Sequence, residues 1–178
     1  MKRLFILLCL LSAAVSCGRR RSAPSTDTPA SQPAVFLPAI APSRLTPGEQ
    51  REWLRWHYWD RFDFADTLFL QRVDTVQMFE AYARYIALIS DRPADGAAMD
   101  TLMRRASASR PMLDYFAKLA GMVLHDPNSP LRNDEFYIPV LEALLRAPWY
   151  DEYERIAPQY DLHMASQNRL GHPANDFR

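Results

Sequence analysis

The sequence predicts a single all-α, bundle-like domain of five to seven short helices, carried behind a signal peptide and a Pro-rich tether. Three observations support this prediction. From residue 45 onward, apolar residues recur at spacings of three and four, the period of a helix that buries one face. Helix caps precede several of these stretches, and no convincing run alternates with a period of two. The roughly 130 residues involved fit within one ordinary domain.

The first helix is expected to begin in the stretch LTPGEQREWLRWHYW. Thr46 is a good cap residue, and Pro47 suits the first helical position. Glu49 follows the cap by three residues, which completes a capping box in which each side chain bonds the other residue's backbone N–H. These local signals place the start of the helix.

The next helices are marked by Asp74 and Pro111. Asp74 is expected to cap DTVQMFEAYARYIALIS, because a carboxylate accepts hydrogen bonds from free N–H groups in the first turn. The apolar face of this helix is predicted to hold Val76, Phe79, Ala83 and Ile86. The stretch AAMDTLMRRASAS predicts a shorter helix, and Pro111 is expected to open PMLDYFAKLAGMVLH.

The last two helices each contain an internal proline. Asn133 or Asp134 is expected to cap EFYIPVLEALLR, which contains Pro139. The final helix is built around YDEYERIAPQYDLHMASQ, which contains Pro158. Because proline has no N–H and its ring clashes with the preceding turn, Pro139 is expected to kink its helix or set its true start. Pro158 is expected to force a break or a restart.

The chain opens with the features of a secretory signal. Lys2 and Arg3 precede an unbroken apolar run, and small residues then lead to Cys17, a layout too short for a stable membrane span. The stretch AVSC resembles a bacterial lipobox, although Ala14 stands where Leu is usual. The resemblance implies a signal peptide over residues 1–16 and acylation of Cys17. Ordinary cleavage nearby, with Cys17 as a free thiol, is the alternative.

Lipidation would determine the location and the first partner of the protein. Several acyl chains on Cys17 would anchor it stably in membrane lipid, whereas one chain binds only marginally. Gly18 follows the cysteine where an Asp would favour retention in the inner membrane. We therefore expect a protein of the Gram-negative cell envelope, anchored in the outer membrane and facing the periplasm. Cys9 would leave with the signal, so the mature domain would have no free thiol.

Composition excludes some classes of function. The 21 basic and 21 acidic residues balance, so no positive field is available for nucleic acid.

Residues 17–44 are expected to form a lipidated, disordered tether, because five prolines alternate there with Ala, Ser and Thr. Residues 45–178 are expected to form the helical domain.

An unusually dense set of aromatic residues lies in WLRWHYWDRFDFAD. Such a set either forms the centre of a core or lines a binding groove. We favour a core, because a domain without disulfides needs large buried side chains. Asp60 and Asp63 alternate with the aromatics, and caps or ion pairs explain them better than acid–base chemistry. The candidate groove would be formed by Trp53, Trp56, Tyr58, Trp59 and Phe62.

The histidines show no zinc-hydrolase spacing. The loop that carries His125, Asp126, Asp134 and Glu135 is the one place that could hold a metal, and His125 with Asp126 or Glu135 could serve an unrecognised hydrolase. Turn and cap chemistry explains this loop without either. We therefore expect no metal and no cofactor, and we find no catalytic constellation and no Cys-x-x-Cys motif.

Three stretches resemble a helical domain of unknown function from lipoproteins of Gram-negative bacteria. They are HYWDRFDFAD (57–66), DPNSPLRNDEFYIPVLEALL (126–145) and NRLGHPANDF (168–177). That domain typically lies between a lipobox and a thioredoxin-like (redoxin) domain, and the resemblance spans about residues 47–177. In longer relatives, the counterpart of 168–177 leads into the redoxin domain. No catalytic residues are carried over by this resemblance.

Two functional hypotheses follow from these observations. The first is a non-enzymatic, periplasm-facing lipoprotein whose helical module binds or assists a redoxin-type protein or a client polypeptide. The second is the N-terminal portion of a truncated thiol-disulfide oxidoreductase. Loss of the redoxin domain and a truncated reading frame are both compatible with the sequence.

Overall fold

The computed structural model describes residues 33–90, 96–167 and 169. The predicted signal peptide, Cys17, the first part of the tether and almost all of the stretch 168–177 lie outside the described residues. The predicted all-α class is confirmed, because the described residues contain helices and a single isolated β-bridge between Ala34 and Val73. None of the described helices is long and apolar enough to cross a membrane.

The described residues contain seven α-helices and one π-helical turn. Their bounds are α1 Pro47–His57, α2 Phe69–Arg72, α3 Thr75–Ile89, α4 Ala97–Ala106, α5 Arg110–Ala120, the π-helical turn Gly121–His125, α6 Asp134–Arg146 and α7 Glu152–Ser166. Helix α6 packs against α4, α5 and α7, and α1 packs against α3. The one-turn helix α2 was not predicted from the sequence.

Side-chain caps explain where most helices begin. Thr46 and Glu49 form the predicted capping box, and Asp74 accepts from Val76 N and Gln77 N at 3.1 and 3.0 Å. Asn133, rather than Asp134, caps α6 by accepting from Phe136 N at 3.3 Å. The predicted caps at Thr46 and Asp74 are therefore confirmed. Ser109 caps α5, and a second capping box opens α7.

Pro139 does not set the start of its helix and Pro158 does not break α7, so these two predictions were wrong, while the kink expected at Pro139 stays a prediction. Both prolines lie inside continuous helices, since α6 begins five residues before Pro139 and α7 runs unbroken from Glu152 to Ser166. Each proline removes one helical hydrogen bond, at a cost of about 3 kcal/mol in a helix interior. For Pro139, tertiary packing offsets this cost, because α6 buries most of its surface and Pro139 is itself buried among its neighbours.

The predicted end of the tether also needs correction. Phe36 is only 3% exposed, and its ring stacks on Trp59 with centroids 4.7 Å apart. The side chain of Gln77 donates to the carbonyl of Phe36 at 2.6 Å and accepts from its N–H at 3.0 Å. The segment from about residue 34 is therefore part of the packed domain, because its one large aromatic side chain completes the core.

Gly96 is required by the way α4 meets α6. Its φ is +66°, and a Cβ built there would lie 3.1 Å from Pro139 Cγ and 3.4 Å from Glu135 O. The left-handed backbone alone costs a non-glycine residue about 1–2 kcal/mol. We therefore expect Gly96→Ala to lower the free energy of unfolding by at least about 1–2 kcal/mol, measured by urea denaturation.

Gly48 provides a matched control for this prediction. It lies in α1, and a Cβ built there would meet no atom within 4 Å. Gly48→Ala should therefore be neutral or stabilising by up to about 1 kcal/mol. Equal unfolding free energies for the two alanine variants would contradict the close packing of Gly96 on Pro139.

Candidate functional site

The five residues of the predicted groove do not line one surface. Tyr58, Trp59 and Phe62 are buried in the core, with exposures of 7%, 3% and 6%. Trp53 is half-buried and stacks on His57 with ring centroids 4.3 Å apart. Trp56 is 41% exposed, and its indole N–H donates to Glu52 at 3.2 Å. The groove prediction is thereby corrected in favour of the core interpretation, because helix α1 ends at His57 and the chain then turns inward.

Trp59 lies at the centre of this aromatic core. Its ring contacts six others, those of Phe36, Tyr58, Phe62, Tyr82, Tyr85 and Phe116. Two of the buried hydroxyls bond to the backbone: Tyr58 donates to Ala81 O at 2.9 Å, and Tyr85 donates to Arg55 O at 3.2 Å. Burial raises the pKa of Tyr58 and Tyr85 above the usual value. These groups therefore stay protonated at neutral pH and hold the helices together.

Asp60 belongs to a surface ion-pair cluster. Its carboxylate lies 2.7 Å from His57 Nδ1 and 2.9 Å from Arg105 Nη1. Arg105 also donates to Trp59 O at 3.0 Å, and its guanidinium covers the ring of Phe64 at 4.7 Å. Asp63 accepts instead from Ala65 N at 2.9 Å, as in a local turn. The two aspartates therefore have separate structural partners and do not form a carboxylate pair.

The loop around His125 is likewise held by local contacts. The imidazole of His125 stacks on Tyr137 with centroids 4.8 Å apart, and Asp126 accepts from Asn128 N at 2.8 Å. The carboxylate of Glu135 accepts from Arg169 Nη2 at 2.7 Å. Within the described ranges, no group of three or more His, Cys, Asp or Glu residues is placed to hold a metal ion.

A surface cavity between α3 and α5 has the character of a binding site. Its volume is about 390 Å³, within the range of small-ligand pockets. Most of its lining side chains are apolar. The lining residues are Thr75, Val76, Phe79, Tyr115, Lys118, Leu119 and Met122. We call this cavity the α3–α5 pocket.

The sequence analysis placed two residues of this pocket in the core. Val76 and Phe79 were expected on the buried face of α3, but they are 67% and 38% exposed. The buried face of α3 is formed instead by Met78, Ala81, Tyr82, Tyr85, Ile86 and Ile89. Helix α3 has more apolar residues than one face can hold, and this excess was the sequence signal for an exposed apolar surface.

The π-helical turn after α5 supplies the far wall of the α3–α5 pocket. It spans Gly121–His125 and carries Met122, which is 41% exposed. Such turns are rare and frequently occur at functional sites. Lys118 is the one charged residue among the lining residues, and burial raises the pKa of Tyr115 to about 12. The pocket can therefore accept an apolar group with a neutral or anionic end, with a flexible methionine to adapt to its shape.

Comparisons with known proteins agree with the predicted resemblance. The family described as a domain of unknown function, DUF5106, matches residues 16–168. The chain is also similar to a solved structure of a thioredoxin-like protein from Bacteroides caccae, with 35% identity and a TM-score of 0.70. That match covers 81% of this chain and 52% of the other, so the chain spans about half the length of that protein. No protein with a curated description matches.

Proposed function

The chain belongs to the DUF5106 family, and from that premise we propose that it is the non-catalytic helical binding module of a lipoprotein that faces the periplasm. Its partner in this proposal is a thioredoxin-like protein, because the solved relative is described as thioredoxin-like. The observation that carries the binding role is the α3–α5 pocket, which leaves Val76, Phe79 and Met122 open to solvent.

The α3–α5 pocket fits an apolar segment of a client polypeptide. The side chains of Val76, Phe79 and Met122 stay 67%, 38% and 41% exposed around one cavity. Burying the exposed part of each would gain the corresponding fraction of the about 1.5–3 kcal/mol that full burial of such a side chain contributes. A bound segment recovers this free energy. In this proposal the partner exchanges thiols and disulfides, as thioredoxin does, with incompletely folded chains that also expose apolar residues. A neighbouring apolar pocket would hold such a chain while the partner performs the chemistry.

The binding role predicts that Phe79→Asp weakens capture of an apolar anion. The probe is 1-anilinonaphthalene-8-sulfonate, whose rings suit the cavity and whose sulfonate suits Lys118. A carboxylate at position 79 removes apolar contact and repels the sulfonate. We expect the Kd to rise by about tenfold or more, which corresponds to about 1.4 kcal/mol, measured by fluorescence titration.

Leu68→Asp is the matched control for this titration. Leu68 is also an exposed apolar residue, but it does not line the α3–α5 pocket. Its substitution should leave the Kd unchanged. The binding proposal fails if the parent chain does not bind the probe, or if both Asp variants bind it as the parent does.

The coverage of the solved relative favours a second candidate function. Because the chain spans about half of that thioredoxin-like protein, it could serve as the N-terminal portion of a longer thiol-disulfide oxidoreductase. Immunoblotting of the native cells with an antibody against α1–α7 separates the two candidates. A band of about the size of this chain supports the free-standing module, and a band of about twice that size supports the longer enzyme.

A further inference from the structure

Helix α7 carries an apolar surface that the described structure leaves uncovered. Its side toward α6 holds half-buried residues, among them Pro158 and Leu162, and the helix has no fully buried residue. The opposite side carries four large apolar residues at spacings of three, four and four. They are Tyr153, Ile156, Tyr160 and Met164, which are 82%, 58%, 63% and 47% exposed. We call this set the α7 stripe.

The geometry of a helix brings these four side chains together. At 3.6 residues per turn, they fall within an arc of roughly 80° and extend along about 16 Å of the axis. Large aromatic side chains contribute about 150–250 Å² each when buried. The exposed fractions therefore give the α7 stripe an apolar area on the order of 500 Å². This is near the upper end for the largest patch on a monomer, which is often functional.

The area of the α7 stripe fits a contact between domains. Interfaces between domains bury roughly 600–1,500 Å² in total, or about 300–750 Å² on each side. The stripe can supply one such side. An interface of this size is weak by itself, but it suffices when the two partners are joined or anchored near each other, because tethering raises the effective concentration.

The charges around the α7 stripe argue against a membrane surface. Helices that lie in a membrane interface carry Lys and Arg along their polar flanks. Here the flanks carry the acidic residues Glu152 and Asp161, with His163 on the same flank as Glu152 and no Lys or Arg of α7 next to the stripe. Arg155 is directed toward the protein, where its Nη2 donates to Ala147 O at 3.0 Å. An acidic rim suits a protein partner whose own rim is neutral or basic.

We propose that the α7 stripe is the docking surface for the thioredoxin-like partner, an inference that rests on the proposed function. The stripe ends at Met164, two residues before the end of α7. The segment 168–177 follows directly, and about half of the thioredoxin-like relative lies outside the match with this chain. Ten residues span at most about 33–36 Å. A domain attached after this segment therefore begins within reach of the stripe.

Thiol labelling can test this surface cleanly. The described residues between 32 and 178 belong to one compact unit, and the chain from Gly18 onward contains no cysteine. Tyr160→Cys therefore introduces a single thiol into residues 18–178. A second protein carries the same chain followed by the part of the Bacteroides caccae protein that the match leaves uncovered, with its own cysteines replaced by serine. Leu68→Cys in both proteins is the control at an exposed site outside the stripe.

We expect the maleimide labelling rate of the Tyr160→Cys thiol to fall at least tenfold in the fused protein, while the rate of the Leu68→Cys thiol stays unchanged. Adding Ile156→Glu to the fused protein should restore fast labelling, because a carboxylate in an apolar contact is unfavourable. Equal rates at position 160 with and without the fused domain would overturn the inference. Slow labelling of the unfused chain that depends on protein concentration would also overturn the inference. It would show that a second copy of this chain, and not the thioredoxin-like domain, covers the α7 stripe. Dye binding by the α3–α5 pocket is independent of these outcomes, so the two proposals fail separately.

Discussion

The Trp59→Ala variant should unfold with a free energy about 3–5 kcal/mol lower than the parent chain. Trp59 is 3% exposed and contacts six aromatic rings, including a stacked Phe36. Removing the indole leaves a cavity that rings from four different parts of the chain cannot readily fill. Domains of this size are commonly stable by only about 5–15 kcal/mol. Urea denaturation followed by circular dichroism measures the change.

Trp56→Ala is the control, because the same side chain type is removed three residues earlier. Trp56 is 41% exposed, and its indole N–H donates to the carboxylate of Glu52. Its substitution should cost no more than about 1 kcal/mol. A cost for Trp59→Ala that does not exceed the cost for Trp56→Ala would mean that the aromatic cluster is not the core. The interpretation of these aromatic residues as a binding groove would then be favoured.

Replacing Cys17 with Ser should release the protein from the membrane. If Cys17 carries several acyl chains, each buried CH₂ group contributes about 0.8 kcal/mol to membrane binding, and serine cannot form the thioether. We expect the membrane-bound fraction to fall at least tenfold and palmitate incorporation to be lost. Fractionation of the native cells and labelling with radioactive palmitate measure both quantities.

Cys9→Ser is the matched control for the lipidation experiment. Cys9 is the other cysteine of the chain and lies within the predicted signal peptide. Its substitution should change neither membrane binding nor palmitate incorporation. A reactive, unmodified thiol at Cys17 in the exported protein would refute the anchor and would restore a thiol to the mature chain.

Capped helix starts and the helical class depend on local sequence, and two starts and the class were predicted. The caps at Thr46 and Asp74 were predicted correctly, because a cap bonds backbone groups within three residues of itself. The helical period also predicted the all-α class. It did not predict which face of α3 is buried, since the helix carries apolar residues on two faces.

Of the candidate site residues, the sequence identified the aromatic cluster but not its division. Tyr58, Trp59 and Phe62 enter the core, whereas Trp56 stays at the surface. The α3–α5 pocket was not predicted, because it depends on how the π-helical turn places Met122 beside Phe79. The spacing of residues along one helix predicts neither the division of the aromatic cluster nor the residues that line the α3–α5 pocket.

By itself, the sequence determined the helical class, the caps at Thr46 and Asp74 and the resemblance to a helical domain associated with thioredoxin-like proteins. Only the tertiary structure decided that Phe36 belongs to the core, through hydrogen bonds to Gln77, 41 residues away. It also decided that α6 and α7 run through their prolines. The physical reason is the distance along the sequence over which each signal operates. A cap bonds groups within a few residues and a periodic pattern describes one helix, whereas burial of Phe36 and Pro139 depends on segments that are far apart in the sequence.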